Sequence, residues 1–163
     1  MTYQLPPRVT GTARAFAATL ECDASAEALW TVWTDVPGWH RWDLGLRGAS
    51  LDPGSGPFAA GATGTLLPTR GRPARLAVTA CEPGRSYRFE AALPLARLVV
   101  ERRIESTGPL RFTHAVHFEG PLAAPWSTLL GPGFAKALPP TMRRAAELAS
   151  TGDGSGADAG ATS

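Results

Sequence analysis

The amino-acid sequence predicts an α+β fold, in which a curved antiparallel sheet of about seven strands wraps around one long C-terminal helix. The first observation is a series of strand-length segments with alternating apolar and polar residues, separated by turn-forming glycines and prolines. The second is a long helical segment after the last of them, at residues 129–149. Because an antiparallel sheet can bury a single long helix only by curving around it, we expect a space between sheet and helix.

The folded part of the chain begins with a strand and two short helices. Alternation of apolar residues predicts the first strand at residues 16–22. Ser25 offers a hydroxyl that can cap a helix, and the wide apolar face of ALWTVWTD predicts a short helix directly after it. Pro37 and Gly38 interrupt that helix, so PGWHRW is predicted to form a second short helical segment.

Six further strands and the long helix follow. The strands are predicted at residues 46–51, 63–68, 74–81, 86–93, 98–106 and 110–119. Between the first two lies the glycine-rich loop DPGSGPFAAG, which we expect to be a mobile entrance loop, since it lacks the spacing of a phosphate-binding loop. In the long helix, Pro139 and Pro140 predict that the helix begins late, near residue 134, or bends at the prolines.

Composition indicates one folded domain between two unstructured ends. The chain has 163 residues, of which 44% are hydrophobic and 18% are charged, as in a globular protein long enough to bury a sizeable core. Residues 1–13 are predicted to form a flexible arm and residues 14–150 the folded domain. Residues 151–163 lack any large apolar side chain and are predicted to be a disordered tail.

Charge and hydropathy argue against several classes of function. The net charge is only +2 and the arginines are scattered, so we expect no nucleic-acid partner. No run approaches the roughly 20 apolar residues of a membrane span. The N-terminus lacks the apolar stretch of a signal peptide, which predicts a cytoplasmic protein. Lys136 is the only lysine among 16 basic residues, a bias typical of GC-rich bacterial genomes.

The residue patterns of metal and nucleophilic sites do not occur. His40, His114 and His117 have no carboxylate at metal-ligand spacing, so no metal is expected. Neither Cys22 nor Cys81 has an obvious activating partner, and buried free thiols are predicted. No cofactor-binding motif is present, so no cofactor is expected.

One row of polar residues is predicted inside the sheet. His114 lies on the more apolar face of the last strand, which should be the concave face. A hairpin turn at residues 107–108 places Arg102 opposite His114, and the preceding hairpin places Tyr87 near Arg102. A register slip of one residue would turn the whole row outward.

This row has the chemistry of a base catalyst. Burial and the neighbouring cation of Arg102 would keep His114 neutral, so that its imidazole can accept a proton. Arg102 would stabilise an enolate and Tyr87 would donate a hydrogen bond, which suits aldol cyclisation or dehydration of a poly-ketone. The alternative is that Arg102 pairs with Glu90 or Glu101 at the rim of the sheet, and that His114 is a hydrogen-bonded core residue.

Five segments, in order along the chain, resemble the START-like (SRPBCC) superfamily and its polyketide cyclase/dehydrase-like branch. They are ASAEALWTVWTDVPGWHRWD, GPFAAGATGTL, CEPGRSYRFE, FTHAVHFEGPLA and GPGFAKALPPTMRRAAELA, and the resemblance covers residues 14–150. It implies a helix-grip fold that encloses a pocket for a hydrophobic small molecule. Members of this superfamily include aromatic polyketide cyclases, lipid-transfer domains, plant hormone receptors, pollen allergens and co-chaperones.

The resemblance implies binding of a polyketide-, lipid- or aromatic-like molecule in an internal cavity, and its cyclisation or dehydration if the protein is an enzyme. The alternative is a non-catalytic carrier, sensor or co-chaperone-like binding protein. Within the tryptophan-rich stretch WTDVPGWHRWD and the turn before it, Trp30 and Trp42 are expected to be structural. The residues expected to contact the ligand are Trp33, Trp39, Phe58, Phe89, Val100, Phe112, Val116 and Phe118.

Overall fold

Eight strands form one antiparallel sheet in the computed structural model, which describes residues 8–9 and 15–155. The strands are β1 (Arg8–Val9), β2 (Ala15–Cys22), β3 (Leu46–Leu51), β4 (Thr63–Pro68), β5 (Ala74–Glu82), β6 (Ser86–Leu93), β7 (Ala96–Thr107) and β8 (Leu110–Glu119). The helices are α1 (Ala26–Thr34), a 3₁₀ helix (Val36–Arg41) and α2 (Ala123–Ser155). The predicted α+β class, with short helices after the first long strand and one long C-terminal helix, is confirmed.

The order of the strands in the sheet is β1-β2-β8-β7-β6-β5-β4-β3. From β4 to β8, each strand pairs with the one before it in the chain, as consecutive hairpins do. The exception is β2, which pairs with β8 at the other end of the sequence. A hydrogen bond of 2.8 Å joins the hydroxyls of Thr19 and Thr113, which are 94 positions apart.

The ends of the chain fit the predicted domain limits only loosely. Arg8 and Val9, inside the predicted arm, pair with Ala17 and Phe16 of β2. The rest of that arm lies outside the described residues. At the other end, α2 continues to Ser155, past the predicted limit at residue 150, and residues 156–163 lie outside the described residues.

The long helix begins earlier than predicted. It starts at Ala123 and passes through Pro132, Pro139 and Pro140. Proline removes one backbone hydrogen bond and disfavours helix locally, but the packing of an apolar face can outweigh that preference. The buried residues of this face include Leu138, Met142, Ala145, Ala146 and Ala149.

Different elements cover the two halves of the sheet. Helix α2 packs against β2, β8 and α1. Gly131 permits this close approach, because a Cβ at that position would lie 2.5 Å from the ring of Phe16.

The 3₁₀ helix packs against β3. Phe58, from the glycine-rich loop at residues 52–62, lies 4.8 Å from Tyr87 of β6 between ring centres. Short local segments therefore cover the half of the sheet that α2 does not reach.

Candidate functional site

The structure brings together the three polar residues predicted to form a row. Tyr87 pairs with Arg102 across β6 and β7, and Arg102 pairs with His114 across β7 and β8. Their exposed fractions are 2%, 2% and 1%. The predicted strand register is therefore confirmed, and the three side chains lie within the core rather than on the outer face.

Arg102 is held in a cage of four aromatic rings. Its Cζ lies 4.6 Å from the ring centre of Trp42, 5.0 Å from that of Trp39, 5.2 Å from that of Phe89 and 5.5 Å from that of Tyr87. Contacts of a guanidinium with aromatic faces are attractive, and more so when water is excluded. We refer to Trp39, Trp42, Tyr87 and Phe89 as the arginine cage.

The carboxylate that accompanies Arg102 is Asp43, a residue that the sequence analysis did not select. Its Oδ2 lies 3.5 Å from Nη2 of Arg102, and its Oδ1 accepts a hydrogen bond of 3.0 Å from the Gly45 N–H. The Asp43 side chain is 22% exposed. Burial raises the pKa of Asp43, although the charge of Arg102 and the Gly45 N–H oppose that rise. The only sequence signal was its position directly after Trp42.

The alternative interpretation of Arg102, as the partner of Glu90 or Glu101, is wrong. Glu90 lies 3.5 Å from Arg88 and 3.7 Å from Arg97, and Glu101 lies 3.6 Å from Arg88. These pairs occupy the other face of the sheet, because residues adjacent along a strand point to opposite sides. The interaction partners of Arg102 are therefore Asp43 and the arginine cage.

Tyr87 is already engaged in hydrogen bonds within the protein. Its hydroxyl donates to the Trp33 carbonyl oxygen at 3.1 Å and accepts a hydrogen bond from Nη1 of Arg102. Burial raises the pKa of Tyr87 to about 12, so the hydroxyl keeps its proton at neutral pH. The predicted donation from Tyr87 to a substrate would require its bond to Trp33 to be broken.

His114 is buried among aromatic rings and has no hydrogen-bond partner for Nε2 among the described residues. Its ring centre lies 5.4 Å from that of Trp33, 5.6 Å from that of Phe112 and 6.1 Å from that of Trp42. Burial, and secondarily the charge of Arg102, holds the pKa of His114 well below its usual value of 6.5. The imidazole is therefore neutral at neutral pH, with an unpaired nitrogen.

The low pKa of His114 makes the stability of the fold depend on pH. Below pH 6.5 the unfolded chain binds a proton at this residue and the folded protein does not, so acid favours unfolding. Between pH 7.5 and pH 5.5, we expect this group to lower the free energy of unfolding by about 1 kcal/mol. Urea unfolding at both pH values should show that a His114→Gln variant loses less stability than the wild type by this amount. An equal loss in both proteins would mean that His114 titrates normally in the fold.

The eight residues predicted to contact a ligand lie in one hydrophobic core. Seven of them are at most 7% exposed, namely Trp33, Trp39, Phe89, Val100, Phe112, Val116 and Phe118, and Phe58 packs against them. Phe118 faces α2, where its ring centre is 6.1 Å from that of Phe134. Trp39 and Phe89, by contrast, belong to the arginine cage, with ring centres 5.1 Å apart. Their assignment to ligand binding stays a prediction.

Two clefts open on the surface of the described residues. One, of about 280 Å³, lies between α1 and α2 and is lined by residues that include Ala28, Val32 and Leu148. The other, of about 360 Å³, lies across β5, β6 and β7, and its lining includes Tyr87 and Arg102. The lining of the second cleft also includes Arg88 and Glu101, whose side chains lie on the other face of the sheet, so this cleft is not an opening to the buried row.

Residues 8–9 and 15–155 lack the features of metal sites and of membrane spans. This part of the chain has no group of three or more His, Cys, Asp or Glu side chains that could hold a metal ion. None of its helices is long and apolar enough to cross a membrane.

Comparison with known proteins identifies the class to which this fold and site belong. The family described as "Polyketide cyclase / dehydrase and lipid transport" matches residues 13–150, and the chain belongs to it. The predicted membership of the START-like (SRPBCC) superfamily is thereby confirmed. The family description names polyketide cyclases, dehydrases and lipid transport, and the family match supports a fold that binds hydrophobic ligands. No curated protein sequence matches the chain at a significant level.

Solved structures share the fold at low sequence identity. The di-domain aromatase/cyclase (ARO/CYC) StfQ of the steffimycin biosynthetic pathway has a TM-score of 0.64 and 14% identity, over 86% of this chain and 51% of that chain. Ara h 8.0201 has a TM-score of 0.65 and 10% identity, over 84% and 97% of the two chains. A protein from Arthrobacter aurescens has a TM-score of 0.61 and 18% identity, over 85% and 87%. These likenesses show a common helix-grip fold.

Proposed function

We propose that the protein binds a hydrophobic small molecule of polyketide, aromatic or lipid type between the curved sheet and its covering elements. We further propose that His114 acts as a general base in the cyclisation or dehydration of that molecule. The observation that carries the proposal is a neutral, buried imidazole with an unpaired nitrogen beside Arg102, in a chain of this family.

The Cys22 and Cys81 thiols are both free, which supports a cytoplasmic location.

The glycine-rich loop offers the simplest route into the core. Its backbone has positive φ at Gly56 and Gly61, where glycine adopts conformations that other residues rarely reach. Phe58 is the side chain of this loop that packs on Trp39 and Tyr87, with ring centres 6.4 Å and 4.8 Å away. Withdrawal of Phe58 would expose the arginine cage without disturbing any strand pairing.

In the proposed dehydration, His114 takes one proton from the substrate and returns one proton to the leaving group. Nε2 of His114 would take the proton from the carbon between a ketone and a β-hydroxyl group, and the charge of Arg102 would stabilise the enolate. The bond from carbon to the hydroxyl oxygen then breaks. The departing hydroxide recovers the proton from His114 and leaves as water, so the imidazole returns to its neutral form.

A second candidate is a non-catalytic carrier or sensor. It is favoured by the hydrogen bonds that already occupy Tyr87 and both Nη atoms of Arg102, which leave fewer polar groups for a reacting molecule. Turnover of a β-hydroxyketone separates the two candidates, because a carrier would bind such a compound unchanged.

Ligand binding should be detectable by thermal stability and by tryptophan emission. A ligand at 100 times its dissociation constant stabilises the folded state by about 2.7 kcal/mol, which for this chain length corresponds to roughly 5–10 °C in melting temperature. We expect such a shift for at least one compound in a panel of flavonoids, polyketides and lipids. Because Phe58 covers the arginine cage, a Phe58→Ala variant should bind that compound faster, whereas the surface variant Leu129→Ala should match the wild type. No shift and no change in emission across the panel would contradict the proposal.

A further inference from the structure

Of the five buried side-chain nitrogen atoms without a hydrogen-bond partner among the described residues, one is Nε of Arg88 on the other face of the sheet, and the other four belong to His114 and three residues near it. They are Nε2 of His114, Nε1 of Trp33, Nε1 of Trp42 and Nε of Arg102. The two indole rings lie 5.4 Å and 6.1 Å from the imidazole, and the Arg102 guanidinium lies 4.6 Å from the Trp42 ring. Buried polar groups are paired in the great majority of native proteins, so a cluster of unpaired ones points to a missing partner.

The chemistry of these atoms defines that partner. The indole N–H groups and the Arg102 Nε–H can only donate hydrogen bonds, so they require an acceptor. A neutral His114 with its proton on Nδ1 offers Nε2 as an acceptor and requires a donor. An oxygen that carries one hydrogen satisfies both requirements.

The indole N–H groups of Trp39 and Trp126 and the Nη atoms of Arg102, by contrast, have partners within the protein. The Trp39 indole N–H donates to the Trp33 carbonyl oxygen at 2.8 Å, and that of Trp126 donates to the Pro94 carbonyl oxygen at 3.0 Å. The Arg102 Nη atoms have Tyr87 and Asp43. Among the described residues, buried donors without a partner are therefore concentrated near His114, with Nε of Arg88 as the exception.

We propose that Trp33, Trp42 and Arg102 form, with His114, a recognition site for a phenolic hydroxyl group of an aromatic ligand. A phenol oxygen accepts at most two hydrogen bonds, which come from the indole N–H groups of Trp33 and Trp42, and its hydrogen is donated to Nε2 of His114. The guanidinium of Arg102 supplies positive charge beside that oxygen. This inference rests on the proposed function and narrows it to hydroxylated aromatic compounds, in preference to unsubstituted hydrocarbons. It also assigns a polar role to Trp42, which the sequence analysis interpreted as structural.

Two matched probes test the site, namely 2-naphthol and 2-methylnaphthalene, which differ in the hydroxyl group. Calorimetric titration of the wild type should give at least a tenfold higher affinity for 2-naphthol. In ¹H–¹⁵N spectra, 2-naphthol should move the indole N–H signals of Trp33 and Trp42, because they gain a hydrogen bond. Those of Trp39 and Trp126, which are already bonded, serve as internal controls and should move little.

Substitution of one donor supplies a second measurement. Trp42→Phe keeps an aromatic ring and removes the N–H, so it should lower the affinity for 2-naphthol about tenfold more than it lowers that for 2-methylnaphthalene. If this variant does not fold, the affinity of Trp33→Phe for the two probes and the indole N–H signals of the wild type provide the same test.

Equal affinity for the two probes, or unmoved Trp33 and Trp42 signals in the presence of bound 2-naphthol, would overturn this inference and leave hydrophobic binding intact. Failure of both probes to bind would overturn the inference together with binding of aromatic ligands.

Discussion

A His114→Gln variant should dehydrate a naphthyl-substituted β-hydroxyketone about 10²–10⁴-fold more slowly than the wild type, since it lacks the proposed general base. The reaction forms a conjugated enone, so its rate can be followed by absorbance. Glutamine is preferred to alanine because His114 is 1% exposed, and truncation would leave a void among Trp33, Trp42 and Phe112.

The matched control is His117→Gln, on the same strand. His117 lies 2.9 Å from Glu119 and is partly exposed, on the other face of the sheet from His114. This variant should retain wild-type turnover. A His114→Gln protein that is fully active per folded molecule would end the case for His114 as a base. A wild type that binds the β-hydroxyketone without turnover would favour the carrier.

A Trp39→Ala variant should lose about 3–5 kcal/mol of unfolding free energy, the usual cost of removing a buried tryptophan side chain. Trp39 is fully buried, packs against Phe89 and Arg102, and donates a hydrogen bond to the Trp33 carbonyl oxygen. The loss corresponds to a fall of roughly 10 °C in melting temperature. Urea unfolding at pH 7.5 would measure it directly.

Trp126→Ala provides the comparison for Trp39. Trp126 is partly exposed on α2, and its N–H donates to the Pro94 carbonyl oxygen, so its removal should cost about 1 kcal/mol. A loss of less than about 1 kcal/mol for Trp39→Ala would contradict the close packing around this ring. That outcome would instead indicate that Trp39 lines an internal cavity.

The strands could be predicted well because each has a local signal. Alternation of apolar residues and glycine- or proline-containing turns located β3, β4, β6 and β8 at the residues that the structure gives them. The start of α2 could not be located in this way. Its prolines and glycines disfavour helix locally, and it is stabilised by contacts with β8 and with β2 and α1, of which the last two are distant in sequence.

The candidate site could be predicted in part, because strands and turns with local sequence signals position three of its residues. Two hairpin turns determine the pairing of Tyr87, Arg102 and His114, and both turns are evident in the sequence. Asp43 lies outside the sheet, and its approach to Arg102 depends on how the 3₁₀ helix docks on β3. How closely the aromatic rings pack also depends on their side-chain conformations, which alternation patterns do not specify.

The pairing of β2 with β8 affects how the protein is made on the ribosome. At about 5–20 residues per second, the 94 positions between Thr19 and Thr113 take on the order of 5–20 s to synthesise. During that interval β3 to β7 can form hairpins with their neighbours as they emerge, whereas β2 has no partner on the β8 side. Its alternating apolar face, which includes Phe16 and Leu20, stays uncovered in the nascent chain. Chaperones that bind extended apolar segments should therefore engage residues 15–22 until β8 has been translated.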